Sequence, residues 1–355
     1  MEFGFHPYGR KTGIGRLQMM VDHSFVIGGS TFSLGKILGT GGFGSVYQAV
    51  DPIHAGEVAI KIAKCALSIE TFDRECRALQ FITNKHVPQY ISTGFVGRYP
   101  WIAMERLYGD TLDKFLLRGA LDWRLGVHIF KQIGVALHAG ESVGLMHGDV
   151  KPSNIFLSPN GHITLIDWGL SEYGPYFSLD PSICCTPEYA APEQIFGKEV
   201  DVRSDLYSLG VVMYEAIAGN PPFEGASYIE IFEKACSTLP DYDPIPRQIR
   251  SLVQRCLKRN PEDRYSSVHT FLREMESLEL FIPGLKSLWE DRLVNSRNPP
   301  IPSIGWESFD IQDLSSEGWG EDPETQVSGT GAGKWEGFSS ADKRFQKQNP
   351  EVANK

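Results

Sequence analysis

His147-Gly148-Asp149-Val150-Lys151-Pro152-Ser153-Asn154 puts an acid, a lysine two places on and an amide five places on into one short segment. Thirteen residues past Asn154 comes Asp167, at the end of the apolar run Ile163-Thr164-Leu165-Ile166 and followed by Trp168-Gly169. Two acids and an amide in this arrangement are what phosphoryl transfer from a magnesium-bound nucleoside triphosphate requires. One carboxylate receives the proton of an incoming hydroxyl. The other, with the amide oxygen, holds the metal on the phosphates.

Upstream, Gly39-Thr40-Gly41-Gly42-Phe43-Gly44-Ser45-Val46 fits GxGxxGxV. A dinucleotide-binding fold would use such glycines to open a helix. Here the alternation Phe32-Leu34-Lys36-Leu38 resumes past Gly44 as Val46-Gln48-Val50, so the spacing predicts a hairpin with a glycine tip, at its plainest a Gly-rich turn. Such a tip can lay backbone N–H groups over a triphosphate because no side chain intervenes. After a turn at Asp51-Pro52, Glu57-Val58-Ala59-Ile60-Lys61-Ile62 reads as a strand. Its lysine either snorkels to solvent from a sheet edge or is buried with an acidic partner. A helix is expected from about Ile69 to Ile82, with Phe72, Cys76 and Leu79 on one face. Glu75 shares that inward face and is the proposed partner; Glu70, the alternative, points away from it.

Two short strands follow near Ile91–Phe95 and Trp101–Met104, and then helices dominate. Asp122 is placed to cap a helix whose apolar stripe includes Leu125, Ile129, Ile133 and Leu137. The class is α+β, with a strand-rich lobe over about 32–104 and a helical lobe over about 108–282. Residues 1–31, Gly-rich and aperiodic, read as a loosely held extension. Residues 283–355 turn to Ser, Gly, Pro, Glu and Asp with isolated tryptophans, and are expected to be disordered because apolar periodicity is too sparse to offset chain entropy. Trp306, Trp319 and Trp335 sit beside Gly and Glu at uneven spacing, which is not a structural repeat. They are either docking motifs for partners or, the preferred reading, parts of a tail without a dedicated partner.

The 355 residues suffice for one large or two ordinary domains, and the net charge of −10 argues against a nucleic-acid-binding surface. Six cysteines without a CxxC pair do not make a disulfide framework, which points to a reduced, cytoplasmic setting. The first twenty residues contain no apolar core of a secretory signal. The longest apolar stretch, about Leu206 to Gly219, is interrupted by Ser208, Tyr214 and Glu215. It is too short to span a bilayer and reads as a buried helix, so no membrane span is expected.

In their order and spacing the glycine loop, Val58-Ala59-Ile60-Lys61, the segment 147–154, Asp167-Trp168-Gly169 and Thr186-Pro187-Glu188-Tyr189-Ala190-Ala191-Pro192-Glu193 resemble the eukaryotic-type protein kinase family, over roughly residues 32–282. The resemblance implies a bilobal kinase fold, ATP as donor, Mg2+ (with Mn2+ as a substitute) and Ser/Thr hydroxyls of protein substrates as acceptors. It implies Asp149 as catalytic base, Asn154 and Asp167 as metal ligands, Lys61 on the α- and β-phosphates with Glu75 holding it, and Lys151 on the γ-phosphate. Thr186 would lie near Asp149 and Lys151 where the substrate peptide seats. Asp205 would bond the catalytic-loop backbone, and Arg264 would pair with Glu193. For the nucleotide, the resemblance implies Gly39, Thr40, Gly41, Gly42, Phe43 and Gly44 over the phosphates, and Val46, Ala59 and Phe156 around the adenine. Met104 would be the gatekeeper, Glu105 to Leu107 the hinge and Asp110 the contact to ribose.

The chain departs from the family pattern at two places. Gly148 stands where many kinases carry the Arg that binds a phosphate on the activation loop, so phosphorylation of Ser171, Ser178 or Ser182 is not expected to be required. Trp168 replaces the usual Phe; its indole can pack under the helix bearing Glu75, but its N–H wants an acceptor. Cys184-Cys185 would permit a redox switch, though nothing nearby in sequence depresses their pKa. Ser153 replaces a Glu common in basophilic kinases. A pseudokinase would be free to lose members of the set Lys61, Glu75, Asp149, Asn154 and Asp167, yet all five are present. A kinase of small molecules would have no need of the peptide-seating segment.

Overall fold

Six strands form one antiparallel sheet: β1 (Ser24–Ile27), β2 (Ser30–Thr40), β3 (Gly44–Asp51), β4 (Gly56–Ala63), β5 (Tyr90–Val96) and β6 (Tyr99–Glu105). Their spatial order is β1-β2-β3-β4-β6-β5. The computed structural model describes residues 24–27, 30–42, 44–51, 56–64, 68–97, 99–170, 174–175 and 186–279. The expectation of a loosely held extension over 1–31 is corrected at its end. Ser24–Ile27 pairs with β2 in the register Phe25↔Phe32. Two strand-prone runs flanking Gly28-Gly29 carry the dipeptide signature of a tight hairpin, which a reading of aperiodicity overlooks. Residues 1–23, Phe43, Cys65, Ser171, Ser178, Ser182, Cys184, Cys185 and the tail with its tryptophans lie outside the described residues.

The strand β4 is central, and its two faces go to different cores. Val58 and Ile60 pack with Phe32, Ala49, Trp101 and Ala103 on one side. Ala59 and Ala63 join Phe72, Leu79, Ile102 and Met104 on the other. Because side chains alternate along a strand, Lys61 points to the second side, where the helix α1 (Ser68–Phe81) lies. The lysine is therefore internal and not on a sheet edge.

The loop after α1 is fastened to the large lobe. Leu165 N–H donates to His86 O at 2.9 Å, His86 Nδ1 lies 2.7 Å from Ile163 O, and His162 Nε2 lies 2.7 Å from Lys85 O. The two imidazoles stack with centroids 4.7 Å apart. Each ring thus donates to a carbonyl of the other's segment, tying the two lobes together.

In the large lobe a short strand β7 (Asp110–Thr111) and helix α2 (Leu112–Leu116) precede α3 (Trp123–Ser142). Asp122 caps α3 by accepting Arg124 N–H at 2.9 Å, as its position in the sequence suggests. The strands β8 (Ile155–Leu157) and β9 (Ile163–Leu165) form a hairpin behind the catalytic segment, with β7 paired to β8. Beyond them lie β10 (Gly174–Pro175), the one-turn helix α4 (Pro192–Ile195), β11 (Glu199–Val200), α5 (Val202–Ala218), α6 (Tyr228–Ser237), α7 (Arg247–Cys256) and α8 (Val268–Glu279). The apolar stretch read as a buried helix is α5, with Leu206, Leu209, Val211 and Val212 wholly buried. Asp201 caps its start, and Gly219 ends it in the left-handed region. No helix among the described residues is long and apolar enough to cross a membrane. This is the bilobal protein-kinase fold, a strand-rich lobe joined to a helical one.

Candidate active site

Lys61 Nζ donates to Glu75 Oε2 at 2.5 Å and to Asp167 Oδ1 at 2.8 Å. The strand β4, the helix α1 and the turn after β9 thus meet at one ammonium. Burial pulls the lysine's pKa down, but Asp167 and Glu75 outweigh it and leave it raised. Burial likewise opposes the charge on Asp167, yet Lys61 beside it holds that carboxyl below its ordinary range. Glu75, the more deeply enclosed acid, is lifted by burial against the pull of Lys61. Asp167 is the only non-glycine residue with positive φ (67°) among those described, so the backbone turns sharply to present it.

The segment 147–154 is held from several directions. His147 is fully buried; its Nδ1 accepts the Asp149 N–H at 3.2 Å, and its Nε2 lies 3.0 Å from Ile166 O. This pattern fixes a neutral ring with the proton on Nε2. Lys151 Nζ bonds Asp149 Oδ2 at 2.6 Å and Thr186 Oγ1 at 2.6 Å, and Thr186 Oγ1 donates to Asp149 Oδ1 at 3.0 Å. Asn154 Nδ2 donates to the main-chain oxygen of Asp149 at 2.9 Å and to its carboxylate at 3.2 Å, and the main-chain oxygen of Asn154 accepts Ile166 N–H. The amide nitrogen is therefore committed to Asp149, and the amide oxygen is the atom left for a cation.

Asp205 in α5 accepts His147 N–H at 2.6 Å and Gly148 N–H at 2.8 Å. Gly148 has φ +84°, and a Cβ there would stand 2.8 Å from Leu170 O. Only glycine meets both conditions without strain. The Arg264 guanidinium is wholly buried and bonds both oxygens of Glu193, at 2.6 and 2.8 Å. Trp168 donates its Nε1–H to Leu165 O at 3.0 Å, which supplies the acceptor that the indole needs. Its ring packs edge-on against His147 and against Gly140 of α3, where a Cβ would come within 2.8 Å of the indole.

The residues expected around a nucleotide divide between the lobes. Ala59 pairs with Met104 across β4 and β6, both buried, and Val46 packs against the same core half-buried. Glu105 donates its N–H to Gln89 O, while Leu107 O accepts from Arg106. Phe156 and Asp110 stand on the paired strands β8 and β7, and Asp110 has Lys114 at 3.8 Å. A Cβ on Gly39, Gly41 or Gly42 would meet no described atom within 4 Å, so packing against the described residues does not demand glycine at these positions.

Sequence reading missed four contributors. Lys64 donates to Gly41 O at 3.0 Å, tethering the glycine tip. Tyr108 donates to Glu57, linking the hinge to β4. His147 acts through its neutral ring, and Gln194 donates to Gly148 O at 3.0 Å. The sequence signals available were positional: His147 heads the catalytic segment, Tyr108 follows the expected hinge, and Gln194 follows the expected Glu193.

Residues 32–275 match the family model described as the protein kinase domain. The chain is 33% identical over 251 residues to the serine/threonine-protein kinase PknA of Mycobacterium tuberculosis, covering 66% of this chain and 58% of that relative. It is 31% identical over 264 residues to PknL of the same organism, covering 70% and 66%. With the probable serine/threonine-protein kinase PknB of Bifidobacterium longum it shares 29% over 269 residues, covering 69% and 39%. The chain thus spans less than two thirds of the length of these relatives.

Proposed function

We propose that this chain, which belongs to the protein kinase family, transfers the γ-phosphoryl group of ATP to serine or threonine hydroxyls of protein substrates. One observation carries the reading. Lys61 of the small lobe and Asp167 of the large lobe meet at 2.8 Å, while Asn154 bonds both Asp149 and the residue before Asp167. Asp149 takes the proton of the incoming hydroxyl as its oxygen bonds to the γ-phosphorus, and the bond from that phosphorus to the bridging oxygen breaks to release ADP. Lys151, already poised between Asp149 and Thr186, lies where negative charge shifts between the two oxygens. Lys61 moves from Asp167 to the donor phosphates and keeps Glu75 as its anchor.

A divalent ion fits the donors present: one anionic carboxylate, Asp167, and one amide oxygen, Asn154, both hard oxygens. Among the described residues no group of three or more His, Cys, Asp or Glu could hold a metal, and magnesium needs none when phosphates and water complete its shell. Bound there by Asn154 and Asp167, magnesium, or manganese in its place, would neutralise charge on the phosphates.

The regulatory part of the reading rests on Gly148. With no guanidinium at that position, an activation-loop phosphate lacks its main receptor on the catalytic loop, whose backbone there is braced by Asp205. A cytoplasmic setting is supported by Cys76, Cys236 and Cys256 being free thiols. A catalytic domain from about residue 32 to beyond 275 is supported by the extent of the family match, and β1 extends its sheet back to Ser24.

The test is magnesium-dependent transfer of labelled phosphate from ATP to the chain itself and to a generic basic protein. Asp149→Asn is expected to remove it, and Lys61→Met to lower it about 10²–10³-fold, as for one preorganised donor. Transfer undiminished in Asp149→Asn would refute the reading. Replacing Ser171, Ser178 and Ser182 together with Ala should leave activity standing.

A further inference from the structure

Gly148 poses a mechanical problem for the residue that follows it. A glycine immediately before the acid that must receive a proton has the least conformational restraint of any residue. Both peptide units that flank it are held. Asp205 takes the Gly148 N–H at 2.8 Å, and Gln194 Nε2 donates to Gly148 O, in the peptide leading into Asp149, at 3.0 Å. The same amide accepts Ala191 N–H through Oε1 at 2.9 Å, so both ends of the buried Gln194 side chain are used and its rotamer is fixed.

The turn that carries Gln194 is itself immobilised. Arg264 spends all five N–H groups: two pairs on Glu193 and on the carbonyls of Arg203 and Arg259, and its Nε–H on Lys258 O. Ser204 adds a bond to Glu193 at 2.6 Å. A continuous line of filled hydrogen bonds therefore runs from the large-lobe core through Glu193 and Gln194 to the carbonyl of the residue before Asp149.

We infer that Gln194 is a positioning residue for Asp149, fixing the Gly148 peptide so that the carboxylate is aimed without help from an arginine at position 148. This inference rests on the kinase reading above. Gln194 touches neither substrate nor nucleotide; it acts through the backbone.

Gln194→Leu removes both bonds and is expected to lower kcat roughly 10–100-fold, the scale of a misplacement of about 1 Å, with KM for ATP and Mg·ADP affinity within about 2-fold of wild type. Gln194→Glu supplies a second readout. Protonated, its acid group reproduces the donor and the acceptor; ionised, it sets an anion against Gly148 O. Burial raises such a carboxyl, so kcat relative to wild type should recover about 10-fold between pH 8 and pH 6. Measurements use the full chain with labelled ATP and a generic basic protein, beside calorimetric Mg·ADP binding. Both variants within 2-fold of wild-type kcat at every pH would overturn the role. So would a parallel fall of kcat and Mg·ADP affinity, or a failure of both variants to fold, since either would assign Gln194 to stability alone. A wild type without Asp149-dependent transfer would instead remove the kinase reading and this inference with it.

Discussion

Replacing Arg264 with Met should be among the costliest single changes in the large lobe. The guanidinium is fully buried, bonds both oxygens of Glu193, and lies 4.9 Å from the Tyr207 ring centroid. Met fills much of the space, so the loss is electrostatic. Breaking a buried pair by removing one partner leaves an uncompensated charge, worth about 3–5 kcal/mol. The carbonyls of Lys258, Arg259 and Arg203 also lose this donor, at about 1 kcal/mol each. A total of about 6–8 kcal/mol translates to roughly 12–30 °C in Tm for a domain of this size. The assay is calorimetry on wild type, Arg264→Met, Glu193→Leu and the double variant. The double variant discards the charge with its partner and should regain about 3 kcal/mol of the loss, leaving Ser204 and the three carbonyls as the residue of the effect. A Tm drop below about 3 °C in Arg264→Met, or losses in the two single variants that simply add in the double, would refute the reasoning.

Gly148→Ala should cost about 2–4 kcal/mol, combining the left-handed φ of +84° with a Cβ only 2.8 Å from Leu170 O, and should lower kcat as well. A Tm within about 2 °C of wild type would contradict it. The acid limb of stability should carry the signature of buried neutral histidines. Burial lowers the pKa of His147 below 6.5, although Ile166 O and the nearby acids pull the other way; burial does the same to His86. Since the folded-state values are depressed, the unfolded chain takes up protons first, so this stability is fully present above pH 6.5 and is lost as pH falls below it. Each ring contributes at most about 1.4 kcal/mol per pH unit, and His147→Gln should flatten the slope between pH 6.5 and 5 in denaturant titrations. An unchanged slope would count against a neutral His147.

What could be read from the chain depended on how local the cause was. The alternation along β4 and the helical spacing of Phe72, Glu75 and Leu79 both follow from backbone geometry, so the meeting of Lys61 with Glu75 was legible. The capping of α3 by Asp122 was legible for the same reason. Roles such as those of Asp205 and Arg264 came from the resemblance, because nothing in their own neighbourhood announces a partner far along the chain. The His86–His162 stack, the Lys64 tether and the Gln194 bond were invisible: each joins segments whose proximity exists only after packing. At the start of the sheet the failure was different. The hairpin over residues 24–33 is too short and too glycine-rich for periodicity to register, yet its pairing is regular.

The paired imidazoles at the lobe junction have a mechanical corollary. They nail down the C-terminal end of α1, so that any swing of the helix turns about a pivot near His86. Glu75 lies seven residues before Ile82, about 10 Å out along the arm. A swing of only about 10° would carry the carboxylate nearly 2 Å, enough to part it from Lys61. Whatever leans on the far end of that helix governs whether the ammonium is held ready.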